Sequence, residues 1–106
     1  MYAVIYRYET NEKSVASIMQ SVSSDFADRV PAQIGSLLYT AIDTGDGTAT
    51  TIVLYSDKDA AERGMKVSVQ VREALNATYG ITEKERIHGE VLVNRASDEI
   101  TERIDP

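Results

Sequence analysis

No cysteine occurs among the 106 residues, so disulfides, thiol nucleophiles and zinc–thiolate sites are excluded together, and the redox compartment is left open. Histidine is nearly as scarce: His88 stands alone, too little for a conventional metal site, and no metal is expected. No apolar run approaches the roughly 18 residues that a membrane span needs. Met1 leads directly into strand-like sequence, with neither a basic nor an apolar leader region, so a cytoplasmic location without membrane contact is expected. Positive charge is in deficit as well. The 11 Lys+Arg against 17 Asp+Glu leave a net charge of −6, which opposes phosphate backbones and makes nucleic acid an unexpected partner. What remains, 42% hydrophobic and 26% charged, is ordinary for one globular domain able to build a two-layer core without covalent staples.

The informative content is the order of the patterns. Tyr2–Tyr8 alternates as a strand, with Tyr2, Val4, Tyr6 and Tyr8 on one face and Ala3, Ile5 and Arg7 on the other. Thr10 or Asn11 can cap a helix whose apolar stripe is Val15, Ile18, Met19, Val22, Phe26 and Val30, ended by Pro31. Ser36–Asp43 and Ala49–Tyr55 read as strands apolar on both faces, joined by a turn in which Asp43, Asp46 and two glycines supply side-chain acceptors and positive φ. A second helix opens at the capping pattern Ser56-x-x-Asp59. It carries Ala60, Gly64, Val67, Val71, Ala74, Leu75 and Thr78 at helical spacing, with Gly80 in the C′ position. Ile87–Asn94 reads as the last strand.

This β-α-β-β-α-β order predicts an α+β, ferredoxin-like antiparallel sheet with two helices on one face, forming a single domain over residues 1–95. Residues 96–106 are expected to form a C-terminal arm that docks through Ile100 and Ile104. Because several strands are apolar on both faces, the sheet face away from the helices needs a cover, and a second copy of the chain is the expected one.

Met1–Glu9, the hairpin Ile42–Gly47, the helix start Tyr55–Glu62 and the closing Gly89–Val93 resemble the dimeric α+β barrel superfamily, which includes antibiotic-biosynthesis monooxygenase-like proteins. The resemblance covers most of residues 1–95. It implies a homodimer whose sheets pack face to face, often with strand ends or tails exchanged, and a pocket in each subunit between sheet and helices. Members of that superfamily include oxygenases needing no metal or flavin, haem-degrading enzymes and small proteins without known activity. This chain has no tryptophan, which several active members place near the pocket.

Few groups carry chemistry. His88 and Glu90 share a predicted strand face about 7 Å apart by strand rise, where a carboxylate could orient an imidazole as a general base. The alternative is a strand-end or dimer-contact histidine beside a solvated glutamate. Tyr6, Tyr39 and Tyr55 are candidate ligand-binding residues, able to line a cavity for a flat aromatic molecule, with core packing as the competing explanation. Arg7, set in an otherwise apolar strand, could meet a ligand carboxylate or Glu90, and Asn94 falls on the predicted face of His88. Asp43 and Asp46 lack calcium-loop spacing and are explained by their turn.

The functional expectation is a small homodimeric protein that binds a small molecule, aromatic ones included, between sheet and helices and uses no cofactor. The alternative is a cofactor-independent monooxygenase-like enzyme acting on a small aromatic or polyketide-like substrate. A regulatory or interaction module is the third class that fits.

Overall fold

The computed structural model describes residues 1–10 and 35–97, with the side chains of positions 68, 71, 72, 74, 75, 78 and 79 outside that set. The predicted first helix, with Met19 and Phe26, and the arm residues Ile100 and Ile104 therefore lie outside the described residues. The elements are β1 (Tyr2–Thr10), β2 (Leu38–Gly45), β3 (Thr48–Tyr55), α1 (Lys58–Tyr79) and β4 (Ile81–Glu90). Four strands form one antiparallel sheet in the order β2-β3-β1-β4. That order makes the fold ferredoxin-like: β1 is central, and the chain's two ends of sequence, β1 and β4, lie side by side.

Strand chemistry and turn chemistry agree at the β2–β3 hairpin. Gly45, Asp46 and Gly47 all take positive φ (84°, 53° and 74°), a run that needs glycine or a short polar side chain. The Asp43 carboxylate accepts from the Gly45 N–H at 3.0 Å. At Gly47 the backbone of β1 approaches so closely that a Cβ would stand 2.9 Å from the Thr10 carbonyl oxygen.

Three expectations are corrected. Thr10 is the last residue of β1, its N–H donating to the Gly47 carbonyl, and the predicted cap at Thr10 or Asn11 belongs to a helix outside the described residues. The second strand lies two residues later than the pattern suggested, at Leu38–Gly45. The N-cap of α1 is Asp57 rather than Ser56, because its carboxylate accepts from the Ala60 N–H at 2.7 Å. The last strand begins at Ile81, six residues earlier than Ile87, and ends at Glu90. Residues 81–86 look like a charged loop by composition, yet they pair with β1 through cross-strand ion pairs, Arg7–Glu85 at 3.1 Å and Glu9–Lys84 at 3.8 Å. Val91 donates to the Met1 carbonyl just past the end of β4.

Gly80 ends α1 as the sequence predicts, in the left-handed conformation with its N–H on the Asn76 carbonyl. On the helix, Ala61 and Gly64 are buried and Met65 packs against the core, while Val67 is exposed.

The two faces of the sheet differ. α1 packs on β4, β1 and β3. Under it lies a core of Tyr2, Val4, Tyr6, Val53, Tyr55 and Ala61, with Tyr8 and Tyr39 half-buried at its margin. The other face consists of cross-strand rows: Leu38, Leu54, Ala3 and Gly89, then Thr40, Ile52, Ile5 and Ile87, then Ile42, Thr50, Arg7 and Glu85. Its first two rows are apolar but for Thr40, and its rim is not covered in one copy: Ile87 is 51% and Ile42 38% exposed.

Candidate functional site

Alternation along β1 and β3 puts tyrosines on the helix side of the sheet. Tyr2, Tyr6 and Tyr8 come from β1, Tyr55 from β3 opposite Tyr2, and Tyr39 from β2 opposite Val53. The rings of Tyr6 and Tyr8 stack with centroids 6.0 Å apart. Burial pushes the Tyr39 and Tyr55 phenols up to about 12, each further opposed by the nearby Tyr6 hydroxyl. Burial raises Tyr8 still more, and Tyr39 adds to it. These hydroxyls are therefore neutral donors near neutral pH. The Tyr55 hydroxyl is wholly buried and has no hydrogen-bond partner among the described residues.

One cation joins this layer. The guanidinium of Arg86 lies over the Tyr6 ring, 5.2 Å from its centroid, and pairs with Glu83 at 3.2 Å. Its Nε is buried and has no hydrogen-bond partner among the described residues. Sequence reading missed Arg86 because it placed the last strand from Ile87 onward. Once β4 is extended to Ile81, alternation puts Arg86 on the face of His88 and beside Tyr6.

At the other end of the layer, His88 and Glu90 occupy one face, opposite Val4 and Tyr2 respectively. The imidazole is held by a group the sequence reading did not select: Nδ1 of His88 lies 2.6 Å from the Tyr2 hydroxyl, ring centroids 5.8 Å apart. Tyr2 is buried and His88 exposed, so the pair joins the core to the surface. The signal was available, since the β-α-β-β-α-β order makes β1 and β4 neighbours and places Tyr2 within diagonal reach of His88.

The remaining candidates are not brought together. Arg7 lies on the opposite face of the sheet and pairs with Glu85, not Glu90. Asn94 follows the end of β4, exposed, its carbonyl accepting from Arg95. Tyr6, Tyr39, Tyr55, His88 and Glu90 all share the helix side. A separate open groove of about 430 Å³ lies between the end of α1 and the start of β4, lined by Glu73, Asn76, Ile81, Thr82 and Glu83. Among the described residues, no cluster of three metal-ligating side chains occurs, and no helix is long and apolar enough to cross a membrane.

No protein-family model matches the sequence, and no curated protein matches it. Solved structures do match in fold. HapK from Hahella chejuensis superposes with a TM-score of 0.67 at 11% identity, over 92% of this chain and 98% of that one. SnoaB, a cofactor-independent oxygenase from Streptomyces nogalater, gives 0.63 at 18% identity, over 88% and 94%. A dimeric ferredoxin-like protein from an uncultured marine organism gives 0.66 at 9% identity, over 91% and 98%.

Proposed function

We propose that this chain, which has the ferredoxin-like fold of the dimeric α+β barrel superfamily, forms a homodimer and binds a small aromatic molecule on the tyrosine layer of each copy. One observation carries the reading: the two faces of the sheet are chemically divided, phenols and a guanidinium under the helix, a bare apolar patch on the other side. The apolar patch suits a second copy laid on it about a two-fold axis, and one fold neighbour is a dimeric ferredoxin-like protein. The chain beyond β4 favours the same assembly. Leu92 and Val93, past the end of β4, are 90% and 77% exposed and pair with no strand among the described residues, while the outer edge of β2 from Leu38 to Ile42 carries no charge to protect it. Residues 91–94 of one copy would lie along β2 of the other.

On the helix side, Tyr8 and Tyr39 stand at the margin of the area that α1 covers. A flat ring stacked there meets apolar faces, neutral phenol donors and, past Tyr6, Arg86, a set that suits an aromatic ligand bearing acceptor oxygens. The test is a two-dimensional NMR titration of the intact protein with a hydroxylated naphthoquinone. Saturable shifts centred on Tyr8, Tyr39 and Arg86 are expected. Shifts that never saturate, or that centre on β4's charged outer residues, would overturn the reading.

A second reading is supported by the Tyr2–His88 contact. In the tautomer whose Nδ1–H donates to the Tyr2 hydroxyl oxygen, the contact fixes the imidazole and leaves Nε2 as a general base for a phenolic or enolic substrate. The resulting anion is electron-rich enough to react with dioxygen without a cofactor, the class of chemistry named for SnoaB. Oxygen uptake with an oxidisable hydroxyarene, lost in His88→Ala while binding persists, is the expected result. Uptake unchanged in that variant would remove the base.

A further inference from the structure

The Tyr2–His88 pair has a property that neither ligand binding nor base catalysis uses. Taking an electron from a phenol turns a very weak acid into a strong one, so a buried tyrosine is readily oxidised only where its proton has an acceptor. Tyr2 has one. With the imidazole neutral and protonated on Nε2, the Tyr2 hydroxyl donates to Nδ1 at 2.6 Å, and a proton crossing that bond reaches a ring exposed to water.

The other tyrosines of the layer are placed differently. Tyr55 is fully buried, and its hydroxyl has no hydrogen-bond partner among the described residues. Tyr6 carries the Arg86 cation 5.2 Å from its ring centroid, and that charge opposes the loss of an electron beneath it. Tyr8 stacks on Tyr6, and Tyr39 lies at the core margin. Tyr2 itself sits opposite Tyr55 in the β1–β3 register and in the same buried cluster, so an electron vacancy created elsewhere in the layer has neighbouring rings leading to it.

We propose that Tyr2 and His88 form a proton-coupled electron donor, the outlet through which a one-electron oxidant of the radical class, such as an organic peroxyl radical or an aromatic radical cation, is reduced. The step balances: Tyr2 gives one electron to the oxidant and its phenolic proton to Nδ1 of His88, leaving a neutral phenoxyl radical and an imidazolium. A soluble reductant such as a thiol or ascorbate then returns a hydrogen atom to the phenoxyl oxygen, and the imidazolium releases its proton to water. This site does not depend on the ligand proposed above.

Flash-quench photo-oxidation of the intact protein with a ruthenium tris-bipyridine sensitiser, followed by optical and electron-paramagnetic-resonance detection of phenoxyl radicals, tests it. The wild type should give a phenoxyl signal that forms more slowly in D2O than in H2O. Tyr2→Phe, which keeps the buried ring, should lose most of that signal. His88→Gln, an exposed position whose amide oxygen can accept the hydrogen bond but cannot take the proton, should slow its formation severalfold. An undiminished signal in Tyr2→Phe, or wild-type kinetics in His88→Gln, would overturn the proposal, and the second variant decides the matter should the first fail to fold.

Discussion

Gly64 of α1 lies directly against the ring of Tyr55, so closely that a Cβ at position 64 would overlap the phenol. Tyr55 is fully buried and cannot swing away, so the missing side chain at Gly64 is what lets the helix seat on the sheet. Gly64→Ala sets two effects against each other. Better helix propensity contributes up to ~1 kcal/mol, while overpacking costs about 1–3 kcal/mol. A net loss of stability is expected in urea unfolding, and a gain would mean that helix and sheet can separate freely there.

Alkali should unfold the protein through its tyrosines. The phenols of Tyr39 and Tyr55 rise from 10.0 in the unfolded chain to about 12 when folded, because burial disfavours the phenolate. A raised folded value means that the contribution to stability is full below pH 10 and is lost as pH climbs toward 12. Denaturant midpoints should accordingly be level from neutral pH to about 9 and fall steeply above 10, in step with phenolate absorbance. Phenolate appearing with ordinary acidity while the fold persists would contradict the burial of this layer.

Arg86→Met keeps most of the side chain's stem but removes the cation over Tyr6 and the partner of Glu83. A stability loss of about 1 kcal/mol is expected, the sum of a partly buried cation–π contact and ion pair. Affinity for an aromatic ligand bearing acceptor oxygens should fall more than affinity for a plain hydrocarbon. Equal losses for both would place Arg86 outside the ligand's reach.

How much was legible follows from these residues. The fold class was readable because alternation in Tyr2–Tyr8, the glycine-rich turn at Asp43–Gly47 and Gly80 at the helix end are local signals, and each matches the structure. The start of β4 was not readable. Thr82–Arg86 has the composition of a loop, and only the pairing partners Arg7 and Glu9, more than seventy residues away in sequence, make it a strand. That error hid Arg86 and misassigned Asn94. The partner of His88 was missed for a different reason: Glu90 is its neighbour along the strand, whereas Tyr2 is its neighbour across it, and cross-strand contacts need the register.

Ile87→Glu probes the outer face alone. The side chain is exposed in one copy, so a single copy should lose no more than about 0.5 kcal/mol in folding. If a second copy covers it, burying a charge in the apolar rows should weaken the dimer by about 1–3 kcal/mol, or roughly 5- to 150-fold in dissociation constant. Unchanged association at equal stability would place Ile87 outside any interface.

The central claim is that the bare apolar face of the sheet is closed by another copy of the chain. Light scattering coupled to size exclusion at micromolar concentration tests it most directly. The account predicts a single species of twice the 11.7 kDa chain mass, shifted toward the monomer by Ile87→Glu. A stable species of 11.7 kDa for the unmodified chain would contradict it.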